Sequence, residues 1–149
     1  MTTTNRETIA LVGCVKSKRM GTHAARDLYT SALFSKRVAH VEAAGLRWWV
    51  LSAKYGLVAP GERIPSYDQT LNAMSTRERE AWGARVVDQL RAAIGDLVGI
   101  TFEIHAGARY VDAIGIRLRD AGASIEVPTA GLGLGKQLAW YGQRVGGRP

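Results

Sequence analysis

Strand-like runs alternate with helical patterns along this chain, and that alternation limits the folds open to it more than any other feature. The runs are Thr8-Ile9-Ala10-Leu11-Val12, Arg47-Trp48-Trp49-Val50-Leu51, Ile100-Thr101-Phe102-Glu103-Ile104 and Ser124-Ile125-Glu126-Val127. The second is apolar on both faces, as a central parallel strand must be. Strands separated by crossover helices return to the same sheet edge each time, so the sheet they build is parallel with helices on its faces. The expected architecture is α/β: a three-layer α/β/α sandwich around a four-stranded, mainly parallel sheet. At 149 residues the chain fits a single domain, 1–149, with residues 1–6 and 145–149 expected to be flexible.

The intervening helices are readable in turn. A helical region is expected from about Ala24 to Ala44, broken near Ser35, with Leu28, Leu33, Phe34, Val38 and Val41 as its apolar stripe and Gly45 as its stop. Ser75-Thr76-Arg77-Glu78 is a capping box, and Trp82, Val86, Leu90 and Ile94 recur every four residues behind it. Further helices are expected over about Tyr110 to Ala121 and Lys136 to Gln143.

Parallel strands share a direction, so all four end on one side of the sheet, at Gly13, Ser52, His105 and Pro128. Ligand sites of open α/β sheets lie at that edge. The longest of the loops meeting there runs from Ser52 through Lys54, Tyr55, Gly56, Pro60, Gly61, Pro65, Tyr67, Asp68 and Thr70 to Leu71. Loops of this length in a compact domain are usually functional. Asp68 is a carboxylate able to activate water or stabilise positive charge at a sugar carbon. Lys54 is a candidate phosphate ligand or amine nucleophile, and Tyr55 and Tyr67 are candidate stacking platforms.

The first loop supplies Gly13, Cys14, Lys16, Lys18 and Arg19, a set of backbone amides and cations suited to phosphate. Cys14 more often fills space at a strand end than attacks a substrate. His105, Arg109 and Tyr110 leave the third strand at a helix start, where an anion can dock. Gly131, Gly133, Gly135, Lys136 and Gln137 form a glycine-rich loop opening the last helix. It matches neither the P-loop nor the Gly-x-Gly-x-x-Gly pattern, and no cofactor is expected. His23 and His40 have no partners at metal-ligand spacing, and one cysteine cannot build a zinc cluster, so no metal is expected either.

Charge points to the partner class. The net charge is +7, and Lys and Arg displace counterions from phosphates, which favours DNA or a nucleotide as partner. No apolar run reaches the roughly 20 residues of a membrane span. The first residues lack the basic and apolar regions of a signal peptide, so a cytoplasmic location is the expectation.

Gly13-Cys14-x-x-x-Lys18, Asp27-Leu28-Tyr29-x-Ser31-x-Leu33-Phe34, Leu51-Ser52-Ala53-Lys54-Tyr55-Gly56-Leu57, Tyr67-Asp68-x-Thr70-Leu71 and Gly131-Leu-Gly-x-Gly-x-Gln137-Leu138 together resemble a small uncharacterised domain family of bacteria and phages. The central block also resembles the Leu-Ser-x-x-Tyr-Gly-x-x-x-Pro pattern of YaaA-like peroxide-stress proteins, which bind DNA. The four-strand parallel architecture is similar to that of uracil-DNA glycosylases, although their Gly-Gln-Asp-Pro and His-Pro-Ser motifs are missing here. These resemblances lead to the expectation of a base-processing hydrolase of the DNA glycosylase (N-glycosidase) type, with Asp68, Lys54 and Tyr55 as catalytic candidates. The alternatives are a non-catalytic YaaA-like DNA-binding stress or phage-related protein and a nucleotide-binding sensor.

Overall fold

The structure, a computed structural model, describes residues 7–13 and 18–144. The terminal segments expected to be flexible, and Cys14 and Lys16 of the first loop, lie outside the described residues.

Strand β1 (Thr8–Gly13) is the centre of a mixed α/β domain. It pairs in parallel with β3 (Arg47–Ser52) on one edge and with β6 (Thr101–His105) on the other. Ile9, Ala10, Leu11 and Val12 are all fully buried, so both faces of the strand are covered as well. β7 (Ser124–Glu126) extends the sheet in parallel beyond β6.

The sheet has five strands, not four. The extra one, β4 (Gly56–Val58), runs antiparallel to β3 as the return arm of a tight hairpin. Gly56 makes that turn with φ 75, a left-handed conformation that costs glycine little. Strand order is therefore β4-β3-β1-β6-β7. Three consecutive residues of the expected loop had too little period-2 pattern to be read as a strand.

A second piece of that loop is also a strand. β5 (Arg63–Pro65) pairs antiparallel with β2 (Thr22–Ala24), joining the long connection to the chain following the first loop. The expected single helical region is two helices, α1 (Ala25–Leu28) and α2 (Ala32–Ala43). The break falls at Tyr29–Ser31 rather than near Ser35. Ser31 is the reason: its Oγ accepts from the Phe34 amide and caps α2, whereas Ser35 sits exposed within the helix.

Helix α3 (Thr76–Ile94) carries the expected capping box, with Ser75 and Glu78 satisfying each other's amides. α4 (Ala108–Asp120) and α5 (Leu134–Arg144) complete the helices. α2 packs against α5 and α3 against α4. At Gly83 α3 and α4 are in close contact, since a Cβ there would collide with the Ala113 carbonyl.

Gly83→Ala tests that contact. An alanine in an exposed helix interior stabilises by up to about 1 kcal/mol over glycine. Here overpacking reverses the sign, and a loss of about 1–3 kcal/mol is expected in urea denaturation. A stabilised variant would mean that the helices are further apart.

Candidate functional site: a cationic cleft at the carboxyl edge

With β1 at the centre, chain connections run to β3 on one side and cross to β6 on the other. The switch in direction leaves a crevice between the carboxyl ends of β1 and β6. A cleft of about 840 Å³ lies at this edge, large enough for a nucleotide. Its chemistry comes from Lys18, Arg37, Asp68, Arg109, Tyr110 and Gln137.

These side chains come from several elements, with Arg109 and Tyr110 both from α4. Lys18 follows the first loop, and its backbone bridges to Tyr29 while the next amide, Arg19, donates to the Leu28 carbonyl at 2.8 Å. Its ammonium lies 4.5 Å from the centre of the Tyr67 ring, a cation–π contact. Arg109 is exposed in the first turn of α4. No side chain caps that helix, and Gly107, Ala108 and Arg109 themselves line the cleft. The positive end of the helix dipole therefore faces it. Asp68 and Thr70 line the cleft from the segment preceding α3, Asp68 exposed and Thr70 capping the short turn Leu71–Ala73.

Arg37 was not anticipated. It is buried in α2, with one guanidinium nitrogen 3.2 Å from Gln137 Oε1 and the other a long 3.5 Å from the Gly13 carbonyl. Gln137 in turn donates to the Leu132 carbonyl at 2.9 Å, which ties the glycine-rich loop to the same cation. A signal was present in the sequence: position 37 falls on the stripe of Phe34, Val38 and Val41, and an arginine on a buried stripe is anomalous.

The loop residues divide into two groups. Ser52 and Tyr67 are buried and hydrogen-bonded to each other, and Tyr67 also borders a groove that adjoins the cleft. The Tyr55 amide donates to Ser52 Oγ at 3.0 Å, Ser52 Oγ donates to Tyr67 Oη at 2.9 Å, and Tyr67 Oη lies 2.6 Å from Tyr29 Oη. Trp82 Nε1 fixes the Ser52 carbonyl at 2.9 Å. Tyr55 is half-buried with its ring edge-on to Tyr67, and it lines neither the cleft nor its neighbour. Lys54 is exposed, and it shares with Asp68 an adjoining groove of about 510 Å³ rather than the main cleft.

Other expected residues are also outside the cleft. Arg19 donates to the Asp27 carbonyl, and Gly131 and Gly133 on the loop and Gly135 and Lys136 in the first turn of α5 are exposed outside the lining. Gly13 is a buried strand end.

His105 is fully buried and belongs to a separate cluster. Its Nδ1 lies 2.6 Å from Tyr141 Oη and its Nε2 2.7 Å from Glu103 Oε1, with His40 Nε2 3.4 Å from the same oxygen. His40 thus has partners after all, 63 and 65 residues away in sequence and invisible to a search by spacing. The hydrogen bond from His105 holds the Glu103 carboxyl below its ordinary range, against the opposing effect of burial. Burial, and then the neighbouring His105, pushes His40 down. Burial pushes the Tyr141 phenol up, against the opposing influence of Arg37.

Residues 9–143 match a family of unknown function, DUF6884. The chain belongs to this family. No curated protein and no solved structure matches it.

Tyr67→Phe removes the hydroxyl through which Ser52 and Tyr29 are joined. Leaving buried hydroxyls short of a partner costs about 1–3 kcal/mol. Chemical denaturation should show that loss, and a double-mutant cycle with Ser52→Ala should be clearly non-additive. Additive effects would mean that the two hydroxyls act independently.

Proposed function

We propose that the cleft binds a phosphorylated nucleoside, within DNA or free, and that the protein is a base-processing hydrolase of the N-glycosidase type. The observation that supports this reading is the meeting of Lys18, Arg37 and Arg109 with one exposed carboxylate, Asp68, in a single nucleotide-sized cleft. Cations and the uncapped start of α4 suit phosphate oxygens. In the same reading the two helix pairs are the outer layers of a three-layer sandwich, the arrangement that the likeness to uracil-DNA glycosylases implies. That likeness is one of fold and carries no chemistry by itself.

The reaction assigns Asp68 the central part. Its carboxylate takes a proton from a water whose oxygen bonds to C1′ of the sugar. The C1′–N bond breaks, its electron pair leaves with the base, and solvent reprotonates the departing nitrogen. A base in duplex DNA must first be taken out of the stack. Tyr110, half-buried at the cleft wall, offers a stacking face that buried Tyr67 does not. Lys54, in the adjoining groove, contacts the neighbouring nucleotide rather than the sugar carbon.

A second reading, a YaaA-like DNA-binding protein without catalysis, draws support from Lys54 and Tyr55 lying outside the main cleft. Incubation with modified and unmodified phage DNA, followed by mass spectrometry for free bases and abasic sites, separates the two. Base release by the wild type, lost in Asp68→Asn with DNA affinity retained, is the expected outcome. Arg109→Ala should weaken binding and flatten its log–log salt dependence by about one phosphate contact. DNA binding with no release from any substrate would leave the second reading standing. A thermal shift with free nucleotides but none with DNA would instead indicate a nucleotide sensor.

A further inference from the structure

The cluster behind the cleft has a chemistry of its own. His40 comes from α2, and Glu103 and His105 from β6, where a spacing of two residues puts both on one face. The two imidazole nitrogens and the carboxylate oxygen lie within 4.8 Å of one another. We propose that His40, Glu103 and His105 bind a divalent transition-metal ion of the zinc class.

Two imidazoles and a carboxylate are an established ligand set for a tetrahedral ion that keeps its fourth position open. Bonds of about 2.0–2.1 Å in such a centre set ligand atoms about 3.3 Å apart. The His40 to Glu103 separation of 3.4 Å already meets that figure, and the His105 to Glu103 separation of 2.7 Å must widen slightly. The remaining pair, His40 and His105, lies within 4.8 Å, and metal binding requires side-chain rotation of the partly exposed His40 and Glu103 to close the set around the ion.

The surroundings fit a metal ligand as well. Tyr141 Oη, 2.6 Å from His105 Nδ1, is the outer partner that orients a ligating imidazole and directs Nε2 to the ion. The rings of Trp140 and Tyr141 lie against His40 at 5.2 and 5.7 Å and form an aromatic wall. The His40 and Glu103 side chains each retain 17% exposure, which leaves a way in for the ion and for a water on its fourth position. Without metal, a proton between His105 Nε2 and Glu103 satisfies the same atoms. Binding releases it to solvent as the ion takes its place.

The proposal stands independently of the cleft's function, and its test needs no substrate. The full chain is stripped with chelator, dialysed and titrated with zinc chloride by calorimetry, with metal content read by mass spectrometry. One zinc per chain is expected, with the imidazole resonances of His40 and His105 shifting while those of His23 stay in place. His40→Ala and Glu103→Gln, both at partly exposed positions, should abolish the stoichiometric uptake, and Tyr141→Phe should weaken it about tenfold. Cys14→Ser should leave it unchanged. The absence of stoichiometric uptake at micromolar zinc overturns the proposal. So does uptake that persists in both ligand variants, or that shifts only the His23 resonances.

Discussion

Everything in this protein depends on β1 being closed on all sides. It is hydrogen-bonded to parallel neighbours along both edges and covered on both faces. Such a strand must be apolar throughout, and Ile9-Ala10-Leu11-Val12 is. Polar groups that the chain needs for chemistry are therefore driven to its carboxyl end. There the backbone leaves the sheet, the crossovers diverge and water can enter. The cleft lies at that open edge.

The same closure explains the buried polar groups beside it. An arginine out of water is costly unless its nitrogens are hydrogen-bonded. Arg37 reaches the Gly13 carbonyl at the end of β1 and the Gln137 side chain at the start of α5. Gln137 then fixes the Leu132 carbonyl. A single cation thus joins the central strand, α2 and the glycine-rich loop. Tyr141, lying near Arg37, carries the connection on to His105 and Glu103.

Much of this was legible in the residues. The parallel strands and the common edge at which they end follow from hydrophobic periodicity and the order of elements, and helix α3 announced itself through Ser75 and Glu78. What escaped was of two kinds. β4 and β5 are three residues each and held by partners, not by any pattern of their own. Arg37 and His40 lie on α2 and Glu103 on β6, and the groups that give them meaning are on other elements far away in sequence or, for Glu103 and His105, on one strand face. Spacing finds ligands that share a helix or a loop; it does not find a histidine on α2 facing a glutamate on β6. The usable signal was negative, a charged residue on a face that should be apolar.

The long connection after β3 illustrates how structure and site divide a single stretch of chain. Ser52 and Tyr67 hold its two ends together inside the protein, and the intervening residues form a hairpin and a ribbon. Because Tyr67 is anchored by its hydroxyl and its ring lies under the Lys18 ammonium, the next residue has little freedom. Asp68 is that residue. Tyr67 is buried, and Asp68 beside it is exposed and lines the cleft. The tyrosine, a candidate stacking platform by sequence, anchors the segment from which Asp68 lines the cleft, and it borders the adjoining groove as well.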